Sequence, residues 1–360
     1  MADGGGECAP VVDDNVSADL AEKLGRRWWR PAIDPQQLRE LSANDESLPG
    51  ILNVALYFAA LLASGALAWR AWALSSLWAV PCFWAYGTIY AFSGAFDHEA
   101  RHRSLFRERW LNELFGHVFA FMTNFEPERW RWTHTLHHAY TLSTREPLDF
   151  EIQVDRCVRY ASVRPPCTRA RARAHERACV LARLVHARCM SLPLHTSASA
   201  CRMRTPAADR APAALACARH RPSKLAKFVL TFVPFGPLLW VHESYLAETF
   251  LNALGVVTPV IRHCVPAHAQ ARVLRSARLH MLIWASLAGA CVVLRSWLPA
   301  LFFMLPTFYG NTLFALCGLA QHAGLPFDVR DHRLNTRTVI LGPVLSFLYC
   351  KLEYHQEHHM

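Results

Sequence analysis

Four long apolar stretches restrict what this chain of 360 residues can fold into more than any other feature. A helix of about 20 apolar residues crosses the roughly 30 Å hydrocarbon layer of a bilayer. The first two stretches are separated by a break at Arg70, and the last two by a tight turn at 295–299. We therefore predict an all-α integral membrane protein with four transmembrane helices in two hairpins, which cover residues 51–69, 72–96, 279–294 and 298–319.

The orientation of these spans follows from the basic residues. The connections inside the hairpins offer only Arg70 and Arg295, whereas the N-terminal arm and residues 97–277 are rich in Arg and Lys. Basic residues concentrate on the cytoplasmic side of membrane proteins. The arm, the long middle region and the C-terminal region are thus predicted to be cytosolic, as a helical cap. Two shorter apolar stretches, 111–125 and 228–241, are expected to lie at the interface.

The chain divides into four predicted regions. Residues 1–50 form a cytosolic arm without the apolar core of a cleavable signal peptide, so the stretch from Ile51 acts as an anchor or uncleaved signal. Residues 51–156 hold the first hairpin, and residues 223–360 hold an interfacial segment and the second hairpin. Residues 157–222 differ from the rest in composition.

The net charge of +10 resides in this last region. Residues 157–222 contain 13 Arg, no Lys and two acids, which leaves the rest of the chain close to neutral. With 16 Ala, six Cys and Tyr160 as the single aromatic residue, they cannot supply a packed core. We expect an anomalous insertion that is disordered or is translated non-coding sequence. A nucleic-acid partner is not indicated, because interleaved aromatic residues are missing.

Three histidine clusters carry the candidate chemistry: HEARH at 98–102, HTLHH at 134–138 and HQEHH at 355–359. On a helix, residues at i, i+3 and i+4 share one face, so each cluster presents two or three imidazoles together. Cluster one follows two predicted spans, cluster two follows without a further span, and cluster three follows two more. This even count puts all eight histidines on one side of the membrane. Eight imidazoles are too many for one metal ion and suit two.

The first cluster also matches the H-E-x-x-H pattern of zinc metalloproteases, with Glu99 as the general base. Such a protease needs three protein ligands and one water. Most of the other histidines would then have no purpose, so the two-metal hypothesis is favoured.

In this order, HEARH, WTHTLHH and EYHQEHH resemble the membrane fatty acid desaturase family, a superfamily with three histidine boxes and a di-iron centre. Further similar segments are HRSLF at 102–106, WLN at 110–112, QHAG at 321–324 and DHR at 331–333. The similarity covers about residues 50–155 and 223–360. The family continues beyond its third box, whereas this sequence ends one residue after His359, so we expect the last helix to have little support.

The resemblance implies two iron ions, O2 as co-substrate and the removal of hydrogens from a lipid acyl chain. The ligands that it implies, with His322 as a candidate ninth, are His98, His102, His134, His137, His138, His322, His355, His358 and His359. Candidate acceptors that would orient their N–H groups are Asp97, Glu99, Asp149, Asp331 and Glu357. Structural roles are expected for His117, His242, His263, His280 and His332.

The leading functional hypothesis is an O2-dependent acyl-lipid or acyl-CoA desaturase. No haem-binding His-Pro-Gly-Gly segment occurs in the sequence. The resemblance therefore implies an external electron donor of the cytochrome b5 or ferredoxin type, and in a eukaryote the endoplasmic reticulum or another internal membrane. The alternatives are a hydroxylase or ketolase of the same superfamily, acting on an alkane, sterol or carotenoid, and an inactive fragment.

Overall fold

The computed structural model describes residues 34, 36–37, 46–144, 149–151, 229–230, 232–236 and 245–360. These residues form helices joined by turns and include no strand, which confirms the all-α prediction for this part of the chain. They all belong to the unit made of residues 1–152 and 224–360. The predicted insertion at 157–222 and nearly all of the predicted arm lie outside the described residues.

The helices fall into two sets along the chain. The first set is α1 Leu48–Ala73, α2 Ala79–Ala91, α3 Ser93–His102, α4 Arg109–Thr123 and α5 Pro127–Ala139. The second set is α6 Tyr245–Ala253, α7 Pro259–Cys264, α8 Ala267–Val293, a π-helix Ala300–Met304, α9 Pro306–Gly310, α10 Thr312–His322, α11 His332–Asn335, α12 Pro343–Leu348 and α13 His355–His359.

Helix α1 continues through Arg70, so the predicted break at that residue is wrong. Arg is a good helix former, and its charge near the C-terminus of a helix is favoured by the helix dipole. The chain turns only after Ala73, where Ser75 adopts a φ of 49°. The predicted start of the second span at Trp72 is wrong for the same reason, because Trp72 belongs to α1.

Helices α1 and α8 are long and apolar enough to cross a membrane, with 26 and 27 residues. Helix α8 begins at Ala267, well before the predicted start at 279, because its first three turns are polar but still helical. Apolar side chains on the outer faces of both helices are exposed, among them Leu52, Leu56, Leu282 and Val293. Exposed apolar faces of this length suit contact with lipid.

The predicted second and fourth spans correspond to helical runs that are interrupted. The first run, α2 and α3, is broken at Phe92, and the second run, from the π-helix to α10, is broken at Leu305 and Asn311. Tyr86 and Tyr90 of α2 donate hydrogen bonds to two carbonyls of the π-helix, at 2.9 and 3.1 Å. These bonds matter because an unpaired carbonyl in an apolar interior is costly.

Close contact between α2 and α9 requires glycine. A Cβ on Gly310 would overlap the backbone of Gly87, and a Cβ on Gly87 would overlap the ring of Tyr309. The two helical runs can therefore pack backbone against backbone. Aromatic side chains fill the core beside this contact, including Tyr57, which is fully buried.

Helix α4 corresponds to the predicted short stretch at 111–125. Its apolar residues Trp110, Leu114 and Val118 are exposed, while Asn112 and Phe119 are buried on the opposite face. An interfacial position stays a prediction. Of the other short stretch, 228–241, the described residues are 229–230, which are helical, and 232–236, which form a turn.

Candidate metal centre

The first histidine cluster lies on α3. His98 and His102 are one helical turn apart, and their ring centroids are separated by 4.6 Å. On the same helix Asp97 pairs with Arg101 at 3.2 Å, and both side chains are buried. The guanidinium of Arg101 packs against Gly116 of α4, so this ion pair fixes the position of α3 beside α4.

The second cluster lies on α5, whose start is strongly specified. Glu126 is the N-cap and accepts hydrogen bonds from the backbone N–H groups of Glu128 and Arg129, at 3.2 and 2.6 Å. Pro127 occupies the first turn, where its missing N–H costs nothing. This capping fixes where α5 begins and therefore where its histidines point.

The remaining histidines come from the C-terminal half. His322 is the last residue of α10, and the third cluster forms the whole of α13. The five-residue helix α13 is held by its side chains: His355 contacts His322, with 2.7 Å between their Nε2 atoms, and His358 contacts His138, with 3.1 Å between theirs.

The structure brings together all nine histidines that the sequence singles out, in two groups. Within each group the potential ligand atoms lie within 4.8 Å of one another. Group one is His98, His102, His134, His138 and His358, and group two is His137, His322, His355 and His359. Group two is fully buried, whereas His102 of group one is exposed.

The second and third clusters each contribute to both groups. The two residues at i and i+4 stay together, and the residue at i+3 points to the other group. His134 and His138 thus belong to group one while His137 belongs to group two, and the third cluster does the reverse with His358. Helices α5 and α13 therefore each contribute histidines to both groups.

The Nε2 atoms face the inside of each group. The Nε2 of His134 is 2.9 Å from that of His102 and 3.1 Å from that of His138. The Nε2 of His359 is 3.1 Å from that of His355. Nitrogens that converge in this way need a cation or a proton between their lone pairs.

The opposite ring nitrogens are held by outer partners. Nδ1 of His134 donates to Glu151 at 2.8 Å, and Nδ1 of His137 donates to Asp149 at 2.8 Å. The backbone carbonyl of Asn335 accepts from Nδ1 of His322 at 3.0 Å. A donated Nδ1–H leaves the lone pair on Nε2, which is the arrangement that a metal ligand needs.

A hydroxyl fixes the tautomer of His359 in the same way. The Thr141 hydroxyl donates its single hydrogen to the carbonyl of His137 at 2.7 Å. It can therefore only accept from Nδ1 of His359, which lies 3.1 Å away. The lone pair of His359 is thus directed into group two.

The electrostatics of the site favour neutral imidazoles. Burial, reinforced by neighbouring histidines, lowers the pKa of the buried and half-buried histidines of both groups except His137, and for His98 and His322 the pKa falls to about 3. Burial also acts on His137, but the charge of Asp149 outweighs it and raises the pKa.

The donor set fits two metal ions. Neutral imidazole is a ligand for iron, copper, nickel and zinc. Nε2 of His98 is buried without a hydrogen-bond partner among the residues that the structure describes, as expected of an atom reserved for a metal. The converging nitrogens, the fixed tautomers and the lowered pKa values all favour the binding of metal ions.

The family model of the fatty acid desaturases matches the chain in two overlapping segments, residues 76–251 and 206–360, which hold all nine grouped histidines. The chain belongs to the fatty acid desaturase family. A comparison with curated proteins finds no match. Oxidoreductase activity, association with a membrane and the use of iron are all in keeping with this membership.

Of the outer acceptors predicted for this desaturase-family chain, Asp149 and Glu99 contact ligand candidates, Glu99 at 3.2 Å from Nδ1 of His98. The other three candidates have different hydrogen-bond partners: Asp97 bonds Arg101, Asp331 bonds Arg333, and Glu357 bonds Thr338. The sequence motifs did not indicate Glu151, Thr141 or Asn335. The one available signal was that Glu151 is an acid two residues after Asp149.

The zinc-protease hypothesis does not fit this geometry. Glu99 contacts Nδ1 of His98, on the ring edge away from the group, and also accepts from the hydroxyl of Ser104. A general base would have to face the metal-bound water. Five histidines surround that position in group one, which exceeds the three ligands of such a protease.

Histidines outside the groups take other positions in the desaturase fold. His280 is buried against Phe121, and His263 contacts Phe150. His332, which was expected to be structural, is buried with its ring 5.3 Å from that of His359. His117 is exposed, and His242 lies outside the described residues.

A buried ion pair anchors the second cluster to the rest of the fold. Arg129 of α5 pairs with Glu248 of α6 at 2.6 Å, and its guanidinium lies 4.2 Å from the ring centre of Tyr245. Glu248 also accepts from Thr258, the N-cap of α7. The indole of Trp130 stacks on His134 with 4.3 Å between ring centroids, so the wall of group one is rigid on this side.

Proposed function

We propose that the chain is an O2-dependent fatty acyl desaturase that introduces a double bond into a lipid acyl chain through a di-iron centre. The observation that carries the proposal is the pair of histidine groups, with five and four converging imidazoles, in a chain of the desaturase family. Each group offers enough nitrogen ligands for one ion.

The proposed reaction balances with two external electrons. An acyl –CH2–CH2– unit, O2, two electrons and two protons give –CH=CH– and two molecules of water. Bound iron would supply the O2 activation that this reaction needs, because no amino-acid side chain removes hydrogen from an unactivated methylene. The choice of iron among metals that imidazole binds rests on the family.

The protein's own residues would hold, orient and shield this centre. Glu151, Asp149, Asn335 and Thr141 fix the Nδ1–H tautomers and so present Nε2 lone pairs in advance. Trp130 covers His134 with an apolar ring. The complete burial of group two excludes bulk water from that half of the site.

For the membrane we propose four spans with the histidine groups on the cytosolic side. Helices α1 and α8 would contain the first and third spans, and the two interrupted helical runs would contain the second and fourth, with the histidine-bearing ends of α3 and α10 outside the hydrocarbon layer. About 20 residues at 1.5 Å each give the length required. The placement of basic residues outside the hairpin turns supports the cytosolic orientation.

The proposed partners are the membrane, a lipid acyl substrate and an external electron donor of the cytochrome b5 or ferredoxin type. A eukaryotic chain would work in the endoplasmic reticulum or another internal membrane. These assignments rest on the family.

Lipid profiling of cells that express the chain tests the proposal. We expect new unsaturated acyl chains that disappear in His98→Ala and His322→Ala, one variant for each group. His117→Ala is the matched control, because His117 is exposed and lies in neither group. New hydroxylated or keto lipids instead would overturn desaturation in favour of the related oxygenases, and an unchanged profile would contradict enzymatic activity.

A further inference from the structure

A short loop segment beside α5, residues 149–151, contacts both histidine groups. Asp149 and Glu151 alternate along it, and Phe150 between them points the other way and packs beside His263 of α7, with 5.0 Å between ring centroids. The Asp149 carboxylate accepts a hydrogen bond from the backbone N–H of Glu151 at 2.9 Å, which holds these residues in a turn. Both carboxylates contact histidines of α5.

Those two histidines belong to different groups. Glu151 accepts from His134 of group one, and Asp149 accepts from His137 of group two, both at 2.8 Å. A carboxylate that accepts the outer N–H of a ligating histidine orients the ring and raises the basicity of the ligating nitrogen. One tripeptide thus acts on one ligand of each group.

The two carboxylates are held differently. Asp149 is completely buried, and three N–H groups converge on its two oxygens, those of His137, Leu142 and Glu151. Its negative charge is therefore shared among several donors. Glu151 is about one-fifth exposed, so its charge is partly screened by water instead. The electrostatic effect of the outer carboxylate therefore differs between group one and group two.

On this basis, which rests on the proposed function, we infer that Asp149 and Glu151 are positioning residues that set the donor strength of the two metal sites separately. Glu151 acts on group one through His134, and Asp149 acts on group two through His137. The two groups therefore differ in their outer partners as well as in their number of histidines, and two bound irons would be inequivalent.

The amide variants of the two residues are not equivalent. Gln at 151 keeps an oxygen that accepts from His134 and removes only the charge. Asn at 149 turns an NH2 group toward one of the three converging donors and loses an acceptor. Because Asp149→Asn risks unfolding the segment, Thr141→Val provides a second change on group two, through His359.

The test is Mössbauer spectroscopy of the full chain loaded with iron-57, together with iron counts. We expect two quadrupole doublets. Glu151→Gln and Glu99→Gln should shift one of them, since Glu99 contacts His98 of the same group, and Asp149→Asn and Thr141→Val should shift the other. Iron affinity of the affected group should fall about 10- to 100-fold.

Glu357→Gln is the matched control, because this acid lies in the third cluster but bonds Thr338 rather than a histidine. It should leave both doublets unchanged. If Glu151→Gln and Asp149→Asn shift the same doublet, or if neither shifts any, the inference is wrong. A chain that binds no iron at all would contradict the proposed function instead, so the two failures are distinguishable.

Discussion

Nε2 of His358 lies 3.1 Å from Nε2 of His138, although 220 positions separate the two residues in the sequence. This contact brings the third histidine cluster to the second and closes group one. It also sends the middle histidine of α13 away from its two neighbours, which serve group two. The two groups are therefore built from shared helices and not from one cluster each.

Replacing His358 by Ala removes one of the five histidines of group one and leaves group two intact. Four histidines then remain in each group, so we expect both ions to bind, but the ion of group one should be removed more readily by a chelator than in the unmodified chain. Iron counts during chelator titration of the purified variant check this expectation. An unchanged titration would contradict a ligand role for His358, and an equal weakening of both ions would contradict its assignment to group one.

Replacing Thr141 by Val removes the acceptor of His359 without changing the size of the side chain. The ring of His359 then loses its fixed tautomer, and iron affinity should fall about 10- to 100-fold. Thr135→Val is the matched control, because Thr135 lies on α5, shortly before Thr141, and its hydroxyl donates to the Arg131 carbonyl. Competition with a metal chelator measures both variants, and equal losses would contradict a specific role for Thr141.

Breaking the buried pair of Arg129 and Glu248 should destabilise the fold. Arg129→Met leaves Glu248 as a buried charge without its partner, which costs about 3–5 kcal/mol. Arg333→Met is the control, because its pair with Asp331 is exposed and should contribute less than about 1 kcal/mol. Unfolding in detergent measures both variants, and a comparable loss for each would contradict the argument.

Glu126 gives the fold a pH dependence of known sign. Burial raises its pKa from 4.5 to about 7, although hydrogen bonds from Ser276 and from the start of α5 oppose the shift. The folded chain thus holds this proton more tightly than the unfolded chain. The resulting stabilisation is complete below pH 4.5 and is lost as the pH rises to about 7.

The variant Glu126→Gln cannot titrate, so it should lose this contribution to the pH dependence. Its amide turns an NH2 toward one of the two capping N–H groups, so the variants are compared by their change with pH: the unmodified chain should lose up to about 3 kcal/mol more between pH 4.5 and pH 8 than the variant, from the size of the pKa shift. Melting temperatures at pH 4.5, 6 and 8 provide the comparison. An equal decline with pH in both proteins would rule out Glu126 as its source.

The contact between α2 and α9 predicts a strong preference for glycine. Gly310→Ala places a Cβ into the backbone of Gly87, and this overpacking should cost about 1–3 kcal/mol or more. Gly289→Ala in α8 is the control, because nothing lies within 4 Å of its Cβ position, and it should be neutral or stabilising. Similar melting temperatures for the two variants would contradict the close packing.

The sequence predicts which histidines meet but not how they are shared. Helical spacing and an even number of spans are enough to bring His98, His134 and His355 to one place. Which group each residue joins depends on the distance between α5 and α13, which no local pattern contains. That the nine histidines bind metal stays a prediction.

Two other kinds of feature, the ends of the helices and the role of Glu151, could not be predicted from sequence patterns. A prediction from hydropathy ends a span where charged residues begin. It therefore placed the end of the first helix before Arg70 and the start of the third span at residue 279, whereas both helices extend further. Helices continue beyond the apolar core when their residues are good helix formers, as in α8. Glu151 was missed because its role depends on the path of a loop rather than on its spacing from a histidine.

The central claim is that the two histidine groups hold two irons. Elemental analysis of the purified full chain tests it most directly. We expect two irons per chain and little zinc, with about one iron left in His322→Ala, which leaves three histidines in group two, and with the iron of group one bound more weakly in His358→Ala, which leaves four. A chain that carries no iron, or a single zinc that both variants retain, would contradict it.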